Sequence, residues 1–162
     1  MTVVVGVSGP DRAAWAIREA ARLATGLDEP LHAVHVLTES ELEATMADSN
    51  GDAPPFGAVR SDAGGVASAA VSNALAPERG DGLGVDVETV GLVGDPATEL
   101  VEYATHVDAS LIVVGGRKRS AIGKALFGSV TRDVLFEAEP PVVTCLDADE
   151  KDDGENEPTR RR

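Results

Sequence analysis

The feature that most constrains the fold is the alternation of short β-branched runs with helical patterns. The runs at 2–7 and 111–114 are apolar and short, which is typical of strands buried on both faces. Between such runs, apolar residues recur every three or four positions. One such stripe comprises Ala14, Ile17, Ala21 and Ala24. The alternation predicts an α/β fold with an open parallel sheet, helices on both faces and right-handed crossovers.

The predicted elements fill residues 1–146, which we expect to form one domain. The predicted strands are 2–7, Leu31–Leu37, 85–90, the run from Leu111 and Val142–Leu146. The predicted helices are the stripe from Ala14, residues 65–76, the segment from Asp95-Pro96 and residues 129–138. Asp95 suits an N-cap, and Pro96 suits the first helical position. Residues 39–65 are polar with prolines and glycines, so we expect a long loop with room for a helical turn at 41–46.

The C-terminal residues 147–162 have a different composition. They are charged and contain no apolar residue beyond Ala148. Such a segment cannot bury enough apolar surface to offset the entropy of ordering it. We therefore expect an acidic disordered tail.

The stretch from Leu111 to Thr131 predicts an anion site. A buried strand ends in Gly115-Gly116, a basic loop follows, and Gly128-Ser129-Val130-Thr131 opens a helix. Glycine lets a ligand approach the backbone, and the free N–H groups of a helix start attract negative charge. The hydroxyls of Ser129 and Thr131 add donors. Five of the 14 basic residues lie here or just after, namely Arg117, Lys118, Arg119, Lys124 and Arg132. Alternatively, the glycines only form turns and the cations only form a solvated face.

This stretch resembles the C-terminal nucleotide motif of the universal stress protein family. In that motif a glycine, two residues, a glycine and nine residues precede glycine and serine or threonine. Gly115, Gly128 and Ser129 match, whereas Lys118 occupies the position of the middle glycine. The resemblance covers nearly the whole chain up to Leu146. It implies a Rossmann-like five-stranded sheet of order 3-2-1-4-5 and a homodimer that pairs through the last strand, Val142 to Leu146.

The resemblance also implies which residues contact an adenine nucleotide, ATP or AMP, with Mg as a companion of the phosphates. Ser8 stands where nucleotide-binding members have an aspartate, and Val36 matches a valine whose backbone contacts adenine. The strand-four end and the glycine loop hold ribose and phosphates. The implied nucleotide-binding residues are Val7, Ser8, Val36, Val114, Gly115, Gly116, Arg117, Lys118, Gly128, Ser129, Val130 and Thr131.

The composition limits the partners and the compartment. A formal charge of −14 opposes binding to nucleic acid or to an anionic membrane. It also suits a protein kept soluble at high salt, which we treat as a hypothesis. The N-terminus resembles a first strand and not a signal peptide, and no run is long enough for a membrane span, so we expect a cytoplasmic protein.

Catalysis and a dedicated metal site have little support in the sequence. No His/Cys/Asp/Glu group has metal-ligand spacing, and His35 and Cys145 lie within apolar runs where core positions are expected. Three hypotheses follow. The first is a dimeric stress protein that senses or holds ATP or AMP without fast turnover. The second is a dimeric interaction protein of the same fold with an empty pocket. The third is an ATP-pyrophosphatase-type enzyme, since Ser8-Gly9-Pro10-Asp11 distantly resembles the pyrophosphate loop of ATP-cleaving ligases.

Overall fold

The computed structural model describes residues 1–9, 13–48, 55–75, 84–116 and 127–146. The predicted tail, residues 147–162, lies outside this part of the chain. The strands are β1 (Thr2–Gly6), β2 (Leu31–Leu37), β3 (Val87–Val93), β4 (Ala109–Gly116) and β5 (Val142–Leu146). The helices are α1 (Ala14–Leu27), α2 (Glu39–Asp48), α3 (Phe56–Ala74), α4 (Pro96–His106) and α5 (Ser129–Glu137). None of these described helices has the length and hydropathy needed to cross a bilayer.

The strands form one parallel sheet in the order β3-β2-β1-β4-β5. This confirms the predicted order and the Rossmann-like α/β class. The order reverses beside β1, because the chain moves outward to β2 and β3 and then returns to β4 on the other side. Ligands of open α/β sheets bind beyond the carboxyl ends of the strands at such a reversal.

The helices cover both faces of the sheet, as predicted. Successive side chains of a strand point to opposite faces, so Val3 and Val5 pack against α1 and α3. Val4 points the other way and packs beside Ile112 and Val134, in the layer that contains α4 and α5. The three valines are completely buried. Double-sided burial explains why β1 is continuously apolar instead of alternating.

The prediction of a long loop at 39–65 is wrong at its first part, because α2 starts at Glu39. A capping box begins this helix: the Thr38 hydroxyl accepts the Glu41 N–H at 3.3 Å, and the Glu41 carboxylate accepts the Thr38 N–H at 2.9 Å. The second of these bonds holds the pKa of Glu41 below its ordinary value. The Thr-x-x-Glu signal was present in the sequence, but the surrounding polar composition concealed it.

The loop prediction also fails at its second part, because α3 starts at Phe56 and not near residue 65. The helix buries a stripe at spacings of three and four. This stripe comprises Val59, Ala63, Ala67, Ala70 and Ala74. Glycines at 57, 64 and 65 lower the helix propensity of the segment by about 1 kcal/mol each. Burial of the alanine stripe against the sheet overrides that preference.

The third strand lies at Val87–Val93 and not at 85–90. The prediction ended the strand before Gly91, which in the structure lies inside it. A Cβ atom built on Gly91 would lie 2.1 Å from the Arg60 carbonyl oxygen and 2.4 Å from the Gly64 nitrogen. The backbone of α3 therefore touches the backbone of β3 at this point. Glycine weakens the strand signal in the sequence, yet here it permits a backbone-to-backbone contact between helix and sheet.

Other predicted features are confirmed. The Asp95 side chain caps α4 by accepting the N–H groups of Ala97 at 3.1 Å and Thr98 at 3.0 Å. The bonds from Thr98 are the main reason that the pKa of Asp95 is lowered. Cys145 is buried on β5, and this burial raises the pKa of its thiol. The boundaries of β2 and β5 agree with the prediction.

Candidate functional site

At the carboxyl edge of the sheet, the central strand β1 ends before both of its neighbours. Gly6, the last residue of β1, is in register with Val34 on β2 and Val114 on β4. β2 continues for three more residues to Leu37, and β4 continues for two more to Gly116. We call the space beyond Gly6, between these two extensions, the notch. It lies at the reversal of strand order, where open α/β sheets bind ligands.

The backbone of Val36 borders the notch on the β2 side. The N–H and C=O groups of one strand residue point to the same neighbour, and those of the following residue point the opposite way. The Val34 carbonyl accepts the Val7 N–H at 2.8 Å, so it faces β1, and the Leu37 carbonyl accepts the Gly94 N–H at 3.0 Å, so it faces β3. The polar backbone of Val36 therefore faces β1, past the end of that strand. One donor and one acceptor thus point into the notch.

The floor of the notch is fixed by His35. The Nδ1 atom of His35 lies 2.8 Å from the Val7 carbonyl oxygen, and both residues are buried. A carbonyl oxygen only accepts, so Nδ1 carries the hydrogen and donates it. This confirms the prediction that His35 is satisfied in the core. Beyond Val7, Ser8 is exposed and Gly9 has a φ of 143°, a conformation that L side chains rarely adopt.

The other side of the notch joins β4 to the start of α5. The Thr131 hydroxyl donates to the Gly115 carbonyl at 3.0 Å, and Thr131 is 95% buried. We name this hydrogen bond the Thr131 latch. From the sequence we expected this hydroxyl to be a donor to an anion. Its hydrogen is instead given to Gly115, so its position in the site is structural.

Gly116 brings the two ends of the glycine loop together. A Cβ atom built on Gly116 would lie 2.9 Å from Leu146 and 3.4 Å from the Phe127 ring. The chain that leaves β4 therefore returns beside it, immediately before Gly128. Arg117 and Lys118, which we predicted as site residues, lie between these ends and outside the described residues. The two halves of the predicted anion site are adjacent.

Gly128 is the N-cap of α5. Its φ of −64° and ψ of 165° suit any residue, and no described atom lies within 4 Å of a Cβ atom built on it. Neither backbone strain nor packing within the described residues therefore requires glycine here. A ligand that approaches the backbone would require it.

The first turn of α5 supplies the donors of the site. The N–H groups of Ser129, Val130 and Thr131 precede the first helical bond, in which the Arg132 N–H donates to the Gly128 carbonyl. Among the described residues these three groups have no acceptor, and the side chains of Ser129 and Val130 are exposed. Such a turn attracts anions through its donors and its dipole.

The basic cluster predicted from the sequence is only partly described. Of its five members, Arg132 alone lies in the described part of the chain. Its guanidinium is 2.8 Å from the Asp133 carboxylate, and its side chain is exposed. This pair places opposite charges together at the surface, so Arg132 contributes little net charge to the notch. Among the described residues, the donors left for an anion are therefore backbone N–H groups.

A comparison with the models of known protein families identifies one that covers most of this chain. The model of the universal stress protein family matches residues 1–145. The chain belongs to the universal stress protein family. This match confirms the resemblance that the glycine motif indicated.

Individual relatives agree with this assignment. The universal stress protein MJ0531 of Methanocaldococcus jannaschii is 28% identical over 141 residues, which cover 87% of this chain and 79% of that protein. A solved universal stress protein of Archaeoglobus fulgidus is 34% identical with a TM-score of 0.63, over 89% of this chain and 97% of that one. The universal stress protein of Archaeoglobus fulgidus in complex with dAMP is 31% identical with a TM-score of 0.59, over 89% and 96% of the two chains.

In this universal stress protein, the predicted site positions fall into two groups. Most of them surround the notch through their backbone or their position, and these are Val7, Ser8, Val36, Val114, Gly115, Gly116, Gly128, Ser129, Val130 and Thr131. Arg117 and Lys118 lie outside the described residues. Val7, Val36 and Val114 bury their side chains, so only their backbone groups are available to a ligand.

Sequence reasoning missed the two hydrogen bonds that shape the notch, from His35 to Val7 and from Thr131 to Gly115. A signal for the second existed. Thr131 and Val134 are three positions apart, and both are buried on one face of α5. A hydroxyl on the buried face of a helix must find an acceptor. The end of a sheet strand, where ladder partners run out, is a natural place for that acceptor.

Proposed function

We propose that this protein binds an adenine nucleotide, ATP or AMP, in the notch. The observation that supports this most is Gly128: nothing described in the protein requires a glycine there, and it stands beside three N–H groups without acceptors. A phosphate that contacts these donors would account for both features. The dAMP complex of a relative that is 31% identical over most of its chain gives independent support.

The two sides of the notch would have different roles. The Val36 backbone offers one donor and one acceptor, which suit the polar edge of a base. The first turn of α5, with Gly115 and Gly116 opposite, would hold the phosphates. Mg would enter with the phosphates and use their oxygens, since Mg keeps several waters and binds proteins through few ligands.

We further propose a homodimer that forms through β5, Val142–Leu146. β5 is an edge of the sheet. The Ile112 N–H donates to the Pro141 carbonyl, so alternation directs the N–H of Thr144 away from β4 and out of the sheet. An edge with free backbone donors can pair with a second copy. Leu135 and Phe136 on α5 are also exposed.

We propose that the protein senses or holds the nucleotide without fast turnover, and that it does so in the cytoplasm at high salt. The net charge of −14 suits an environment where salt screens self-repulsion. Unfolding followed by circular dichroism gives the stability in dilute buffer and in about 2 M KCl, where charges are strongly screened. This comparison tests the high-salt part of the proposal. Equal stability in both would contradict it.

Calorimetry with ATP, AMP and GTP at high KCl, followed by mass spectrometry and a turnover assay, tests the proposed function. Binding of ATP or AMP without hydrolysis supports it. Absence of binding would favour a dimeric interaction protein with an empty pocket. Rapid release of pyrophosphate from ATP would favour an enzyme.

A further inference from the structure

The Gly115 carbonyl is a ladder acceptor that has lost its strand partner. Within β4, the Ile112 N–H donates to the Pro141 carbonyl, so the backbone of Ile112 faces β5. Alternation then directs the Gly115 carbonyl toward β1. β1 ends at Gly6, which is in register with Val114, and the chain turns away. A sheet that continued would supply the N–H of Ser8 at this point.

The Thr131 hydroxyl takes the place of that missing N–H. Its oxygen lies 3.0 Å from the Gly115 oxygen, and the threonine is 95% buried. Thr131 is the third residue of α5. One hydrogen bond, shielded from solvent, therefore fixes the first turn of this helix to the end of β4. No other hydrogen bond between described residues joins that turn to the sheet.

We infer that Thr131 is a positioning residue for phosphate binding. The latch holds the free N–H groups of α5 at the rim of the notch, so they meet a phosphate without reorganising. Thr131 does this through its side chain, which does not touch the ligand. This inference rests on the proposed function, because it concerns the phosphate part of the same site. It reassigns the hydroxyl of Thr131 from ligand donor to structural tie.

Loss of the latch should change the affinities for adenosine and for AMP by different factors. Adenosine lacks the phosphate and has no use for the α5 donors, whereas AMP uses them. Loss of the latch should misalign at least one charge-assisted hydrogen bond, which lowers AMP affinity by about tenfold. Adenosine affinity should stay within about twofold, since the floor and the Val36 side are intact. A general loss of structure would weaken both ligands alike.

Titration calorimetry with adenosine and with AMP at high KCl tests the inference on the wild-type protein and three variants. Thr131→Val keeps the shape and removes the hydroxyl, and Thr131→Ser keeps the hydroxyl. Thr105→Val is the matched control, because its hydroxyl bonds to the Val101 carbonyl on the exposed face of α4. We expect only Thr131→Val to lose AMP affinity, and Thr131→Ser to retain most of it.

Each other outcome has a definite meaning. An unchanged ratio of AMP to adenosine affinity in Thr131→Val overturns the inference, whether both affinities are unchanged or both fall by the same factor. If Thr131→Val does not fold, Thr131→Ala against Thr131→Ser makes the same comparison. If the wild-type protein binds neither ligand, the proposed function itself fails, and the inference fails with it.

Discussion

Substituting Gly128 by valine should weaken nucleotide binding and leave the fold almost intact. The backbone angles at this position, φ −64° and ψ 165°, are ordinary for valine. A Cβ atom there meets no described atom within 4 Å. Valine is a poorer N-cap than glycine, which costs about 1 kcal/mol. For a chain of this size that lowers Tm by about 2–4 °C.

The loss in affinity follows from the three free N–H groups of α5. A hydrogen bond from such a group to a charged phosphate contributes about 1.5–3 kcal/mol. The valine methyls would stand where the phosphate approaches and would displace it from at least one donor. Since 1.4 kcal/mol is a factor of ten, Kd for AMP should rise by about ten- to a hundredfold. Adenosine should be affected less, because it lacks the phosphate.

Calorimetry with AMP and adenosine measures both quantities, and circular dichroism gives Tm. Trp15 is the only tryptophan in the sequence and lies in the first turn of α1, so its fluorescence offers a second titration signal. The matched control is Gly26→Val, at a position on α1 where a Cβ atom also meets nothing described. An unchanged AMP affinity in Gly128→Val would refute the assignment of the phosphate to this turn.

Three further predictions concern the fold and the dimer. Gly91→Ala should lower the free energy of unfolding by about 3 kcal/mol or more, because the new methyl would meet the α3 backbone. Gly65→Ala on α3, where a Cβ atom meets no described atom, should not lower it. Urea unfolding measures both. Thr144→Pro removes an edge donor of β5 and should give a monomer by light scattering. Thr89→Pro, on the opposite edge of the sheet, should leave the dimer intact. If both variants remain dimers, pairing through β5 is contradicted. Asp95→Ala should cost about 1 kcal/mol at neutral pH. Because the folded pKa of Asp95 is lowered, the charge-dependent part of this contribution is present above pH about 4 and is lost as the pH falls through the folded pKa. A difference between the two proteins that stayed constant throughout an acid titration would contradict a charged cap.

The parts of the fold that could be predicted are those where local signals and tertiary packing agree. β2 is a largely apolar run with His32 and His35 inside it, and Asp95-Pro96 combines an N-cap with a favourable first position, so these elements were placed correctly. α3 was partly missed because its glycines argue locally against a helix. The close contact of the α3 backbone at Gly64 with Gly91 involves a strand about thirty positions away. No local pattern reports it.

The candidate site divides in the same way. The glycine spacing from Gly115 to Gly128 located the phosphate side, because it is a contiguous motif. The notch itself depends on β1 ending before β2 and β4, and relative strand lengths are not written in any one segment. The Thr131 latch depends on that same difference. For the site, the relative ends of the strands were therefore the part that sequence alone could not supply.

The most direct test of the account is an amide NMR titration of the ¹⁵N-labelled protein with AMP at high KCl. The account predicts that the largest shift changes fall on Val36, on Gly115 and Gly116, and on the segment from Gly128 to Thr131. These residues are distant in sequence and meet only at the notch. Shift changes confined to other surfaces, or none at saturating AMP, would contradict a nucleotide site in the notch.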